Sequence, residues 1–494
     1  MSSQAAPSPS SFDHPQRLAV IGGGFSGLAA AHRAAELAAE SNRQVEVHLF
    51  DASSRLGGLV QTERLGDYVI ERGADSFITS KPGAINLCRR LGLESELLST
   101  HPKYRGSLIL SDGKPVPTPA GFNLLVPGNL WALLATPLLS AAGKMRCLEE
   151  WFIPPRTTDD DESLASFTRR RLGQEVLDRI VQPLVGGIYT ANPEHLSLAA
   201  TLPRFLEMER QYGGLLKSVW KTRKTQSEAE REAAGARYGL FVAPRHGMSQ
   251  IVHTLADRVR ETCRSHLGTS VKGLTVLPRS SSGPAGVEVA TEGPDGPRRQ
   301  VFNAVILALS APAMASLVAA DSPELARNLR EIPYASSAIV VSGHRLEDIR
   351  HPLDSFGLVI PHIERRKVLA VSFLSRKFPT RAPEGRAILR TFVGGAMQPE
   401  QYEQSDEAIL RTVREELADL LGVGGTPDFE VLTRYPSAMP QYHVGHLERV
   451  REIHRLANEL GPVHLAGNAF GGVGIPDTIE SGERAAEAAI SRTV

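Results

Sequence analysis

Apolar and polar positions divide the chain into segments of distinct texture. Arg17–Ile21, "RLAVI", is a short apolar run of the length of a buried strand. "GGGFSG" follows, then "LAAAHRAAELAAE", whose alanines favour a helix. "QVEVHLFDA" alternates apolar and polar positions with β-branched residues, which predicts a second strand ending at Asp51. Strand, helix and strand in that order form a βαβ unit, the opening of a doubly wound sheet. From Ser99 to Ala236 the pattern changes to helical segments interrupted by proline. The most apolar of them, "NLWALLATPLLSAAGK" (Asn129–Lys144), is too short to span a bilayer and is broken by Pro137. It reads either as a buried helix or as a surface helix that touches membrane or admits a greasy substrate. Lys221–Arg237 is a charge run, a solvated helix or a mobile loop. Beyond it, "GPAGVEVATEGPDGPRRQVFNAVILAL" predicts two strands about a Gly/Pro turn and a buried strand at Ala304–Leu309. β-like runs dominate from Ser336 to Gly395, and "SDEAILRTVREELADLLG" then predicts a helix. Near the end, "AGNAFGGVGIPDTIESGERAAEAA" (Ala466–Ala489) sets a bare glycine loop before a helix opened by Pro476 and Asp477.

Composition narrows the classes. A chain of 494 residues has room for two or three domains with sizeable cores. Lys+Arg and Asp+Glu balance at 55 each, so nucleic acid is not the default partner. Cys88, Cys147 and Cys263 lie far apart without metal spacing, which argues against a disulfide framework or a metal site and for a reducing compartment. Residues 1–16, "MSSQAAPSPSSFDHPQ", have no apolar core and read as a disordered leader, not a signal peptide.

Candidate chemistry starts at the first strand–helix junction. Gly22, Gly24 and Gly27 make a G-x-G-x-x-G around Phe25 and Ser26. The first glycine permits a tight turn, the second lets the backbone approach a pyrophosphate, and the third lets helix and strand pack closely. The helix N-terminus then faces the phosphate charge. Asp51, followed by Ala52, stands where a carboxylate can bind ribose hydroxyls. A few residues on, Arg55 can reach phosphate, and Gly57 and Gly58 allow a second close backbone approach.

An acidic residue followed by R-x-G-G resembles the flavin-binding amine oxidase superfamily, and "YVIERGADSF" (Tyr68–Phe77) resembles its next element. The resemblance implies FAD, not a diffusible nicotinamide, with Gly73, Ala74, Asp75 and Ser76 beside the flavin ring and Val271 in the cofactor set. It also brings the C-terminal loop back over the flavin through Gly467, Gly474 and Ile475. A helix N-terminus at the pyrimidine end would stabilise the anionic reduced ring. The implied fold is α/β, as in amine oxidases and p-hydroxybenzoate hydroxylase. A Rossmann-like FAD-binding domain is built from discontinuous segments, 17–98, 238–310 and 440–494. A mainly helical insertion covers 99–237, and an α+β substrate domain with a mixed sheet covers 311–439.

Five further segments narrow the resemblance. "ERGADSFITSKPGAINLCRRLGLESELL", "QPLVGGIYTANPEHLSLAATLPRF", "DSFGLVIP", "AILRTFVGG" and "AMPQYHVGHLERV" follow the order seen in the protoporphyrinogen/coproporphyrinogen oxidases of haem synthesis. The likeness runs from Arg17 onward and is closer to the soluble bacterial branch than to the plant and animal branch. It implies a six-electron oxidation of a porphyrinogen to a porphyrin. Three hydride transfers to flavin N5 would each be followed by reoxidation with O2, releasing H2O2. An electron-rich porphyrinogen needs no strong base, and no catalytic residue is assigned; His443 and His446 read as surface or supporting residues. For the substrate the resemblance implies Lys81 as a propionate anchor, backbone approach to a pyrrole ring at Gly186 and Gly187, and Val359 and Phe392 against the macrocycle. Phe356, Leu358 and Phe373 are further apolar candidates. Ser107 stands where plant and animal members carry a propionate-binding Arg, with Arg105 two residues away, so the anchor stays open. The implied partners are a porphyrinogen and O2, in the cytoplasm. Peripheral contact with the inner face of a membrane, contact with the next haem-pathway enzyme, and a monomer or homodimer are all compatible. Coproporphyrinogen III and protoporphyrinogen IX stand as alternative substrates. The alternative activities are those of an amine oxidase, a carotenoid desaturase, or a flavin-binding porphyrin carrier without redox turnover.

Overall fold

The computed structural model describes residues 15–119, 122–127, 130–223, 241–278 and 285–492. The leader read at 1–16, apart from its last two residues, and most of the charge run Lys221–Arg237 lie outside those residues.

Five parallel strands form the central sheet, in the order Arg264–His266, Val45–Phe50, Gln16–Ile21, Ala304–Leu307 and Val463–Leu465. They come from three distant stretches of chain, so the sheet is assembled from discontinuous segments. Alternation along each strand assigns its faces: Leu18 and Val20 point to one core, Ala19 and Ile21 to the other. On the first face the helix Phe25–Glu40 packs against the last helix, Ile475–Arg492. A Cβ on Gly482 would collide with the Ser26 carbonyl, so the two helices cross nearly backbone to backbone. Ser26 Oγ donates to Thr478 O at 3.0 Å across the crossing. Leu28 and Ile479 are fully buried there, each worth about 1.5–3 kcal/mol of burial.

The second face carries the antiparallel strands Ser270–Leu277, Gly286–Gly293 and Gly296–Phe302. It also carries the helices Ala311–Val318, Pro323–Arg330 and His446–Leu460. Residues 311–330, read in sequence as substrate domain, therefore pack on the nucleotide side. Met314, Leu325 and Leu329 share a core with Ile21 and Leu307.

A second sheet of seven strands runs in the order Phe429–Pro440, Tyr334–Arg345, Arg386–Gly394, Ala370–Phe373, Gly357–Val359, Leu108–Ser111 and Lys114–Pro117. It is antiparallel except where Gly357–Val359 meets Leu108–Ser111 in parallel. Two of its strands thus fall inside the stretch read as a mainly helical insertion. Ile339, Val341 and Ile388 face the nucleotide unit, while Val340, Leu389 and Val393 are covered by the helix Asp406–Leu421.

Helices between residues 130 and 223 enclose their own core. The apolar stretch Asn129–Lys144 is two helices, Leu130–Ala135 and Ala141–Leu148, parted at Pro137. Its side chains divide between the two readings: Leu133, Leu138 and Leu139 are buried, while Trp131 is exposed. Inside this unit Glu150 accepts from the Leu215 and Leu216 amides and pairs with Arg171, both charges fully buried. Among the described residues no helix is long and apolar enough to cross a membrane, and no His/Cys/Asp/Glu group is arranged to hold a metal ion.

Candidate active site

The first strand enters its helix through a turn that admits only glycine at two positions. Gly22 has φ +106°, and a Cβ there would collide with the Ala308 carbonyl; a Cβ on Gly27 would collide with the Gly22 carbonyl. Gly24 differs. A Cβ there would meet nothing nearer than Gly58 Cα, at 4.0 Å. A Cβ on Gly58 would lie only 3.1 Å from Gly24 Cα, so the two bare positions touch, with the Gly24 side left nearly open at the start of the helix Phe25–Glu40, whose N-cap carries no side-chain bond. Unpaired amides at a helix start, beside an open position that a Cβ on Gly24 would occupy, fit a pyrophosphate.

Asp51 shapes the same turn. Its Oδ2 accepts from Gly23 N (2.6 Å), and Oδ1 accepts from Ser53 N (2.7 Å) and Ser53 Oγ (2.5 Å). A carboxylate has about four acceptor positions, so one is left for a ribose hydroxyl. Thr269 N donates to Asp51 O (2.9 Å) and Gly268 N to Ser53 O (2.8 Å), which brings the strand holding Val271 beside Ala52. Arg55 departs from expectation. Its guanidinium, though exposed, donates to the carbonyls of Gly58 (2.7 Å) and Val60 (3.4 Å), so it fastens the R-x-G-G turn.

The next element, Gly73–Ser76, lies against that turn, since a Cβ on Gly73 would collide with the Leu59 carbonyl. The Asp75 side chain is committed elsewhere. Lys377 Nζ lies 2.9 Å from Oδ1 and Arg390 Nη1 2.8 Å from Oδ2, with Ser76 Oγ also on Oδ1 at 2.7 Å. Burial alone would raise the Asp75 carboxyl, but Lys377 and Arg390 hold it well below the usual carboxylate range. With the Asp75 carboxylate so committed, the backbone of 73–76 is what can face a ring.

From the other end of the chain, the loop Ala466–Gly474 closes on the same region and is held by Tyr442. The buried Tyr442 hydroxyl donates to Asn468 O (2.5 Å) and accepts from Gly472 N (3.0 Å). Its ring stacks on His446 with centroids 4.1 Å apart. Burial lowers the His446 pKa to about 4, so this imidazole is neutral, and burial lowers His443 as well. Gly467 (φ +140°) and Gly472 (φ +150°) are where the loop needs glycine, and a Cβ on Gly472 would collide with the Asp477 side chain. Gly474 does not face open space: a Cβ there would meet Asp477 Oδ2 at 3.0 Å. Gly467 N donates to Ser481 Oγ (3.0 Å), and Ile475 opens the last helix half-buried. Lys81 Nζ lies 2.6 Å from Asp477 Oδ1, so the expected propionate anchor is already paired with a carboxylate.

The substrate candidates divide. A Cβ on Gly187 would reach Val359 Cγ1 at 3.8 Å, and one on Gly186 would reach Gln182 Nε2 at 3.3 Å, which places the "VGGIYT" helix against the strand Gly357–Val359. Ala396 N donates to Thr190 O (2.8 Å), drawing the end of "RTFVGGA" to the same helix. Phe392 is half-buried on the face toward the nucleotide unit, with the Arg390 guanidinium 5.3 Å from its ring centroid. Leu358 and Phe373 point the other way and are fully buried core residues, so they line no site. Phe356 is half-buried and Arg105 exposed. Sequence reading missed Tyr442, Lys377 and Arg390. The signal for Arg390 was present: a charged residue amid the apolar "AILRTFV" needs a buried partner.

Residues 25–490 match the family described as Flavin containing amine oxidoreductase, and the chain belongs to that family. Its cofactor is FAD and its class of chemistry oxidoreduction. The paired bare glycines and the uncapped helix start fit that cofactor. Among individual relatives, the coproporphyrinogen III oxidase of Bacillus subtilis (strain 168) is 32% identical over 97% of this chain and 99% of its own. Protoporphyrinogen oxidase 2, chloroplastic/mitochondrial, of Arabidopsis thaliana is 27% identical over 96% of this chain and 94% of its own. A crystal structure from Exiguobacterium sp. 255-15, assigned provisionally as a protoporphyrinogen oxidase, is 26% identical with a TM-score of 0.83, covering 97% of this chain and all of that one.

Proposed function

We propose that the chain oxidises a porphyrinogen to its porphyrin in haem synthesis, with coproporphyrinogen III as substrate and O2 as acceptor. The observation that carries this reading is the end-to-end likeness to the Bacillus subtilis coproporphyrinogen III oxidase, which leaves neither chain with an unmatched domain. When bound, FAD accepts the substrate's electrons and passes them to O2. The chain's own residues bind and orient. Main chain at Gly24 admits the cofactor without side-chain obstruction, Gly58 lets the R-x-G-G turn lie against Gly24, and Asp51 holds the ribose. Phe392, Val359 and Gly187 offer apolar walls to a flat macrocycle. With Lys81 held by Asp477, the exposed Arg105 is our candidate for a substrate carboxylate, because the strand Leu108–Ser111 that follows it pairs with Gly357–Val359. His443 and His446 are held neutral and serve as supports, so no side chain here is set up as a strong base.

The same reading places the protein in the cytoplasm. Peripheral contact with a membrane would fall on the helical unit, where Trp131, Phe152 and Trp220 are 79%, 83% and 54% exposed. Aromatic side chains of this kind settle at the headgroup level. The function is tested with FAD-loaded protein given coproporphyrinogen III and protoporphyrinogen IX separately, following porphyrin fluorescence and H2O2. Preference for coproporphyrinogen III supports the reading, preference for protoporphyrinogen IX overturns the substrate, and inactivity on both overturns the function.

A further inference from the structure

Between the nucleotide unit and the seven-stranded sheet lies a buried group of charges that does not balance. Lys377 and Arg390 share the single carboxylate of Asp75, at 2.9 and 2.8 Å. Their side chains are 12%, 3% and 11% exposed, respectively. The neighbouring pair, Glu71 with Arg381 at 3.6 Å, is matched one charge to one; Arg381 also donates to the Arg245 and Pro244 carbonyls, its Nε unpartnered, and Glu71 takes the Thr62 hydroxyl and the Met248 amide. One positive charge is therefore left over in a poorly solvated place, which is costly unless an anion answers it.

The surplus lies at Arg390. Lys377 is engaged twice, on Asp75 Oδ1 and on Ser76 Oγ (2.7 Å). Arg390 holds Asp75 through Nη1 and the Gly73 carbonyl through Nη2, while its Nε is buried with no partner. It stands two residues from Phe392 on the face of the sheet that meets the nucleotide unit, and Gly73 abuts the R-x-G-G turn. The unbalanced cation thus sits where the cofactor loops and the substrate sheet join.

We propose that Arg390, oriented by Asp75 and backed by Lys377, is a positioning residue that presents a surplus positive charge to an anion at this junction. Two sources share that chemistry: the negative charge that a reduced flavin carries at its pyrimidine edge, and a carboxylate of the substrate. The first rests on family membership alone, and the second rests on the porphyrinogen reading.

The experiment uses FAD-loaded protein and three variants: R390Q, which removes the charge, R390K, which keeps it, and D75N, which enlarges the surplus. Midpoint potential is read by equilibration with a reference dye, and coproporphyrin III affinity by fluorescence. If the flavin is the anion, R390Q weakens the preference for the reduced form about tenfold, roughly 30 mV for a two-electron couple. R390K then stays near the parent, and D75N shifts the opposite way. If the substrate carboxylate is the anion, R390Q lowers coproporphyrin III affinity about tenfold, with R390K near the parent and the potential unmoved. Should R390Q not fold, an upward shift of either quantity in D75N supports the inference and its absence overturns it. Parent-like potential and affinity in R390Q also overturn it. A parent protein that fails on porphyrinogens while R390Q shifts the potential would sink the functional reading and leave the flavin source standing.

Discussion

Tyr442→Phe removes one oxygen and little else. The ring keeps its stack on His446, 4.1 Å between centroids, and its place in the helical core. What disappears is the group that bridges the C-terminal loop, accepting from Gly472 N and donating to Asn468 O. An unsatisfied polar group costs roughly 1–3 kcal/mol when buried. Both loop residues are half-buried, so water can answer them in the cofactor-free protein, and the low end of the range applies to each, about 2 kcal/mol together. On the proposed reading, bound FAD covers the loop and excludes that water, so the penalty falls on the complex. At 1.4 kcal/mol per decade the FAD Kd should rise about 30-fold. By linkage, the melting temperature with excess FAD should drop more than the temperature without it. Flavin fluorescence titration and paired thermal melts measure the two quantities. A folded Y442F protein with parental FAD affinity would refute the claim that this hydroxyl holds the cofactor wall.

Other outcomes follow from the same geometry. Gly24→Ala should fold and melt normally without FAD yet bind it at least tenfold more weakly, because the new methyl enters a gap and not the protein; Gly27→Ala, which collides with main chain, should lose the fold itself, and circular dichroism with flavin titration separates the two. His446 and His48 are lowered to about 4 chiefly by burial, so the folded form stays neutral where the unfolded chain, near 6.5, takes up protons. Their contribution is present in full above about pH 6.5 and lost as pH falls toward about 4; melts at about pH 7.5 and about pH 5 should show the drop, and H446F should flatten part of it. A Trp131→Ala/Phe152→Ala double variant should release the protein from anionic vesicles in a co-sedimentation assay and leave FAD binding unchanged; equal sedimentation of parent and variant would remove the helical unit as the contact surface.

The cofactor site was legible where main chain decides it. A strand period, a glycine turn and a helix start fix backbone geometry within a few residues, so Gly22, Gly24, Gly27 and Asp51 stand together as the sequence pattern requires. Side-chain commitments made across the chain were not legible. Asp75 reads equally as a ligand or as half of an ion pair, and its Lys377 partner is 302 residues away. Lys81 fails as a free cation because the helix Gly83–Arg90 abuts Pro476 and brings Asp477 alongside. The helices Ala311–Val318 and Pro323–Arg330 have an apolar face whatever sheet they cover, so periodicity could not place them. The strands Leu108–Ser111 and Lys114–Pro117 could have been found: Asp112-Gly113 between two apolar runs is a hairpin signal, and both residues take positive φ, 49° and 74°.

The segment 68–76, which ends in the candidate cofactor backbone, is held almost entirely from one side. Tyr68 bonds Asp428, Tyr435 OH donates to Arg72 O (2.5 Å), and Arg72 Nε donates to Thr433 Oγ1 (3.2 Å). Arg390 and Lys377 then take Gly73 and Asp75. Every one of these partners belongs to the seven-stranded sheet or to a segment packed directly upon it, so the segment 68–76 is fastened to that sheet although its strand Tyr68–Glu71 pairs with Thr62–Leu65. Separating the two there would expose buried charges and forfeit a chain of hydrogen bonds. The junction with the helical unit carries charge where Arg179 Nη1 donates to Ser111 Oγ (3.2 Å), but along the helix Gln182–Tyr189 it is different in kind. Gly187 meets Val359 through van der Waals contact, and the nearby bonds, His362 N to Gln182 Oε1 (2.8 Å) and Ala396 N to Thr190 O (2.8 Å), join neutral groups that water can replace. Along the helix Gln182–Tyr189, therefore, the substrate sheet is held by weaker contacts than those that fasten it to the segment 68–76.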